Sequence, residues 1–169
     1  MTRTDILAEQ TRSLAAEIVA AASREALTVA VAESLTGGLV CGALTAVPGC
    51  SAVLQAGIVA YQPSIKVSVL GVAAATIADH GVVSRPVAEE MAVGAHSLAG
   101  SDLAVATTGV AGPGPQDGVQ AGTYCVAVAA DERVHSTTGT AQGDREAVRS
   151  AAVVAALRML LEHVVTARA

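Results

Sequence analysis

The stretch AESLTGGLV places a serine, Ser34, between a short apolar run and a pair of glycines. A strand that ends in such a turn projects its last side chain from the carboxyl edge of a sheet, where ligands of α/β folds bind. Two readings of Ser34 follow. As a helix N-cap it would satisfy backbone N–H groups left over at the helix start. As a nucleophile it would work beside Thr36, Gly37 and Gly38, whose free N–H groups at that helix start could hold an oxyanion or a phosphate.

The second chemical signal is Lys66. The chain carries nine arginines and one lysine, and Lys66 is the only charged side chain between Ser34 and Ala78. A solvated surface lysine is the plainer reading. A chain that otherwise uses arginine has reason to keep a lysine where a removable proton or a compact ammonium is needed. In water a lysine is about 99.9% protonated at pH 7 and cannot act as a base, but burial lowers its pKa by up to several units. Ser34 with Lys66 as its base would then be an activated nucleophile of the serine–lysine type.

Two further segments contribute candidates. TTGVAGPGPQDG ends a strand-like run in two threonines and a glycine-rich loop, so Thr108, Gly109 and Gly112 could face the same crevice as Ser34. The loop lacks the GxxxxGK[ST] phosphate pattern and reads equally as a long surface turn without regular structure of its own. GDREAVR puts Arg145 at a helix start, where the dipole disfavours a cation. It could face an anion there, or pair with Asp144 or Glu146. Cys41, Cys50 and Cys125 form no C-x-x-C and the four histidines no short ligand pair, which argues for reduced core thiols and no metal site.

The elements that would position these residues alternate. Residues 5–26 repeat apolar positions at three and four and read as a helix. Strand 27–33 leads to helix 37–47, and strand 52–61 runs into Tyr61. A short helix from Pro63 carries Lys66 to Gly71, another spans 73–80 with Gly81 at its end, and Ser84-Arg85-Pro86 starts a longer one to Leu98. Strand 102–109, a hairpin over 122–130 and 133–141, and a closing helix from Gly143 complete the chain. Strands alternating with helices, plus one hairpin, predict an α/β fold: a three-layer α/β/α sandwich with a mixed sheet of about five strands, in one domain over residues 1–169.

Composition narrows the class. With 52% hydrophobic and 15% charged residues the chain is globular, and with no Phe or Trp its core must pack through branched aliphatics and alanine. A mean hydropathy of +0.53 predicts that part of the surface is covered in a homo-oligomer, with a dimer favoured. A net charge of −5 argues against nucleic acid as a partner. No run of about 18 apolar residues occurs, which argues against a membrane span or signal peptide and for a cytoplasmic protein.

AESLTGGLV, the Y-x4-K-x3-LG run YQPSIKVSVLG, TTGVAGPG and GDREAVR together resemble, in order and spacing, the CinA C-terminal domain family, from about Ala8 to Val165. The chain is similar to its stand-alone form. The resemblance implies an amidohydrolase that converts nicotinamide mononucleotide to nicotinate mononucleotide and ammonia without a cofactor. It further implies Ser34 as nucleophile, Lys66 as base, Tyr61 as proton relay or orienter, Thr108 facing the site and Arg145 the substrate phosphate. The sheet it implies has five strands. One departure stands in the glycine loop, where a lysine and proline usual in the family are replaced by Gln120 and Ala121. A pocket-retaining module without activity, or an amidohydrolase for another small amide, fits the same residues.

Overall fold

A computed structural model describes residues 2–131 and 133–167. Strands β1 (Val29–Glu33), β2 (Leu54–Val59), β3 (Leu103–Gly109), β4 (Thr123–Ala130) and β5 (Arg133–Thr140) form one mixed sheet in the order β2-β1-β3-β4-β5. β1 lies parallel to both β2 and β3, and β3, β4 and β5 run antiparallel to one another in turn. The helices are α1 (Arg3–Glu25), α2 (Leu39–Thr45), α3 (Pro63–Leu70), α4 (Ala74–His80), α5 (Arg85–Ala99) and α6 (Arg145–Thr166).

The two-residue period of the strands sorts side chains by size. Val29 and Val31, Leu103 and Val105, and Val126 and Val128 face one side, where they pack with Ile18 of α1 and Leu157 and Leu160 of α6. Ala30, Ala32, Ala104, Ala106, Ala127 and Ala129 face the other, against Val87, Met91 and Ala95 of α5 and Leu70 of α3. An alanine face lets a helix backbone come close. α5 and α3 are themselves in tight contact: a Cβ on Gly94 would stand 1.9 Å from the Leu70 carbonyl oxygen. Gly94 therefore sets how deeply α3, and Lys66 on it, can seat. The predicted three-layer sandwich and five-stranded mixed sheet are what the chain forms.

Three boundaries differ from expectation, each for a local reason. α2 begins at Leu39 and not at Gly37, because Gly37 (φ 59°) and Gly38 (φ 97°) are left-handed and belong to the turn. Residues 50–52 form a single 3₁₀ turn, so β2 begins at Leu54, and it ends at Val59, leaving Tyr61 beyond the strand. The glycine-rich loop has regular structure after all: Gln116 and Val119 pair across Asp117 (φ 50°) and Gly118 (φ 80°), a tight two-residue hairpin turn of the Asp-Gly kind.

Candidate active site

The Ser34 N–H donates to the Thr107 carbonyl at 3.0 Å, which carries the β1–β3 ladder one residue past β1. Ser34 thus falls on the alanine face with Ala30 and Ala32, and Glu33 on the valine face with Val29 and Val31. Glu33 is 1% exposed, and its carboxylate accepts from the N–H groups of Gly38 (3.0 Å), Val40 (3.1 Å) and Cys41 (2.8 Å). The start of α2 is therefore filled from within the chain. This corrects the expectation that Gly37 and Gly38 offer free N–H groups to a substrate, and Gly38, not Ser34, occupies the N-cap. Thr36 is also placed elsewhere: its hydroxyl is buried and shares a 2.7 Å hydrogen bond with that of Thr107.

Lys66 is fully buried on α3. Its Nζ donates to Ser34 Oγ at 2.9 Å and to the Ala60 carbonyl at 2.6 Å. The Ala60 N–H donates to the Glu33 carbonyl, so the residue just after β2 ties β1, the strand that leads to Ser34, to the lysine. No ion pair among the described residues includes Lys66. Burial without a counter-ion pushes its pKa from 10.5 down to about 8. At pH 7 that leaves about a tenth of the molecules with a free amine, against well under a thousandth for an exposed lysine. A serine hydroxyl beside such an amine can be deprotonated as it attacks an amide or ester carbonyl.

Ser34 opens into a cavity of about 140 Å³, walled by Tyr61, Val82, Val83, Thr108, Asp117 and Arg145 among others. Lys66 lies behind Ser34, away from that lining. Arg145, at the first turn of α6, donates to the Tyr61 hydroxyl (3.1 Å) and to the Gly112 carbonyl (3.2 Å), not to Asp144 or Glu146. Asp144 instead caps α6 by accepting from the Ala147 N–H. Tyr61 therefore stands at the cavity mouth on Arg145, and it makes no hydrogen bond to Ser34 or Lys66. The Thr108 hydroxyl donates to the Val82 carbonyl at 3.0 Å, holding one wall. Gly109 lines the cavity, and a Cβ on it would meet the Thr123 carbonyl oxygen at 2.7 Å. Gly112 lies outside this lining; it borders an adjoining hollow that shares Ala111 and Arg145 with the cavity.

Of the sequence candidates, Ser34, Lys66, Tyr61, Thr108, Gly109 and Arg145 are thus gathered, and Thr36, Gly37, Gly38 and Gly112 are not. Sequence reasoning passed over Glu33, Asp117 and Arg149. Arg149, one helical turn after Arg145, donates from Nε to the Leu35 carbonyl and from Nη2 to the Thr36 carbonyl, both at 2.9 Å. Its spacing of four from Arg145 was the available signal, since it puts both on one side of α6. Burial pushes the thiols of Cys41, Cys50 and Cys125 up, so none is activated. No group of three His, Cys, Asp or Glu among the described residues is arranged to hold a metal.

A profile of the CinA C-terminal domain matches residues 11–164. A protein named nicotinamide-nucleotide amidohydrolase PncC, from Shewanella oneidensis, is 42% identical over 159 residues, covering 93% of this chain and 38% of its own length. A CinA-like protein from Shewanella sp. strain MR-4 is 42% identical over 165 residues, covering 96% of this chain and 39% of its own. The chain thus spans about two fifths of the length of these curated relatives. The solved structure of a competence-damaged protein (CinA) superfamily protein from Klebsiella pneumoniae superposes with a TM-score of 0.88 at 35% identity, over 92% of this chain and 98% of that one.

Proposed function

The chain belongs to the CinA C-terminal domain family, and from that membership we propose that it hydrolyses the carboxamide of nicotinamide mononucleotide to nicotinate mononucleotide and ammonia. The observation that carries the reading is the 2.9 Å contact between Ser34 Oγ and the buried Nζ of Lys66. In the amine form Lys66 keeps one N–H on Ala60 and turns its lone pair to the Ser34 hydroxyl. It takes that proton as Oγ bonds to the carboxamide carbon. The tetrahedral adduct collapses when the Lys66 ammonium returns the proton to nitrogen, and ammonia leaves an acyl-Ser34 ester. Water, deprotonated by the same amine, then attacks the ester; the Lys66 ammonium returns the proton to Ser34 Oγ as nicotinate mononucleotide is released.

The walls support the same orientation. Tyr61, Val82 and Val83 offer flat and apolar contact to a pyridine ring, and Arg145 at the mouth offers a guanidinium to the nucleotide phosphate. The name of the Shewanella oneidensis relative supports the substrate. The test is ammonia release by the purified chain from nicotinamide mononucleotide, nicotinamide riboside and a panel of small amides. Turnover highest on the mononucleotide, and abolished by Ser34→Ala, is expected. Preference for another amide would overturn the substrate, and binding of the nucleotide without release of ammonia would reassign the chain as a non-catalytic module.

A further inference from the structure

The wall of the cavity in front of Ser34 carries two charges of opposite sign, Arg145 and Asp117, and its other residues are neutral. The two do not pair with each other. Arg145 donates to the Tyr61 hydroxyl and the Gly112 carbonyl, and the Asp117 carboxylate has no hydrogen bond or ion pair among the described residues. We propose that Asp117 is a specificity-determining residue that selects an amide on a cationic ring, the pyridinium of an oxidised nicotinamide nucleotide, over the same amide on a neutral ring. The inference rests on the amidase reading above and adds the charge state of the ring.

Asp117 is the only charged residue between Asp102 and Asp131. It takes the first central position of the two-residue turn, at φ 50°. The Gln116 N–H donates to the Val119 carbonyl at 3.0 Å, and the Val119 N–H to the Gln116 carbonyl at 2.9 Å, which holds the turn over the cavity. A turn of this kind needs left-handed backbone at both central positions, and Asn-Gly serves it at least as well as Asp-Gly. Turn chemistry alone therefore does not require an acid. What asparagine lacks is the charge. Residues 110–122 hold no lysine or arginine, so nothing on the loop itself neutralises the carboxylate.

The proposed substrate has the matching charges. With the carboxamide carbon at Ser34 Oγ, the ring nitrogen points to the mouth, because the ribose it carries has no room inside a cavity of about 140 Å³. The positive ring nitrogen and the negative phosphate then both meet the wall that holds Asp117 and Arg145. Tyr61 is the only aromatic residue there, so cation–π attraction has one ring to draw on, and Asp117 is the one full negative charge. Asp117 is exposed, so water and salt screen it and the preference it confers is modest.

The experiment removes the charge and keeps the turn, with Asp117→Asn. Two ligands are titrated calorimetrically into protein that also carries Ser34→Ala: nicotinamide riboside, and benzamide riboside, whose phenyl ring is uncharged. Asp117→Asn is expected to weaken nicotinamide riboside about three- to fivefold and to leave benzamide riboside within about 1.5-fold. With Ser34 in place, KM for nicotinamide mononucleotide should rise by about the same three- to fivefold, with kcat within about twofold. At about 1 M salt, where screening acts over about 3 Å, the difference between the two ribosides should vanish. The riboside comparison needs no turnover. A cation preference that Asp117→Asn abolishes, in a chain that releases no ammonia, would sink the amidase reading and support the role of Asp117. Equal weakening of both ribosides would assign Asp117 to the ribose or to loop integrity, and no weakening of either would leave it a turn residue. Each of those two results would overturn the proposal.

Discussion

On the valine face of the sheet, Glu33 ends its strand among three peptide N–H groups; on the alanine face, Lys66 ends in one carbonyl and one hydroxyl. Both side chains are buried, at 1% and 0% exposure. Charge-assisted bonds to backbone amides compensate the buried carboxylate, as they do at a helix start. No opposite charge compensates the lysine, and its proton is correspondingly easy to remove. The difference teaches that burial alone does not mark a reactive group. A buried charge with a full set of partners holds structure, and one left short of partners is available for proton transfer.

The largest effect that would sharpen this contrast is on rate. Lys66→Arg retains a cation that cannot be deprotonated at working pH. Its kcat should fall by at least the roughly 10²–10⁴-fold that a general base contributes, and ammonia release measured under saturating substrate checks it. A variant keeping about a tenth of wild-type kcat would show that charge, not basicity, is what the position needs.

Next in size is the loss of stability on the valine face. Glu33→Gln sets an amide NH₂ against a group of N–H donors and should cost about 2–4 kcal/mol in denaturant unfolding, with the remaining folded protein keeping kcat within about tenfold. A cost below about 0.5 kcal/mol would place Glu33 on the same footing as an exposed carboxylate.

The smallest effect has the opposite sign. A lysine whose folded pKa of about 8 lies below its unfolded 10.5 binds its proton less well when folded. Its contribution to stability falls as pH drops from about 10.5 to about 8 and is level below that, a cost of about 3 kcal/mol at pH 7. Lys66→Met removes that cost and also two hydrogen bonds worth about 1 kcal/mol each. The dead variant should therefore be more stable than wild type by about 1 kcal/mol, a Tm rise of about 2–4 °C. A fall in Tm would show that the lysine is structurally compensated in the same sense as Glu33.

How far the sequence disclosed this site depended on the kind of signal. The Ser34–Lys66 pair was legible because composition isolates it: one lysine in an uncharged stretch has few reasons to persist. The layers were legible because Val and Ala alternate through β1, β3 and β4 with the period of a strand. Glu33 was in that same alternation, in phase with Val29 and Val31, but which helix would present its N–H groups to that face depends on tertiary packing. Gly37-Gly38 was misassigned for this reason, since a glycine pair before a helix looks the same whether a ligand or a side chain fills the helix start. Tyr61 was found as a residue but not in its place, because the end of β2 is set by the Ala60 carbonyl turning to Lys66, a contact that no local pattern encodes.

The most direct test of the central claim, that a neutral Lys66 is the base for Ser34, is the pH dependence of kcat/KM for ammonia release, which reports ionisations of the free enzyme. Because the amine form is the active one, the rate should rise tenfold per pH unit on the acid side, bend near pH 8 and level off above it. A profile flat from about pH 6 to 9, or one that keeps rising without a bend to the 10.5 of an ordinary lysine, would contradict it.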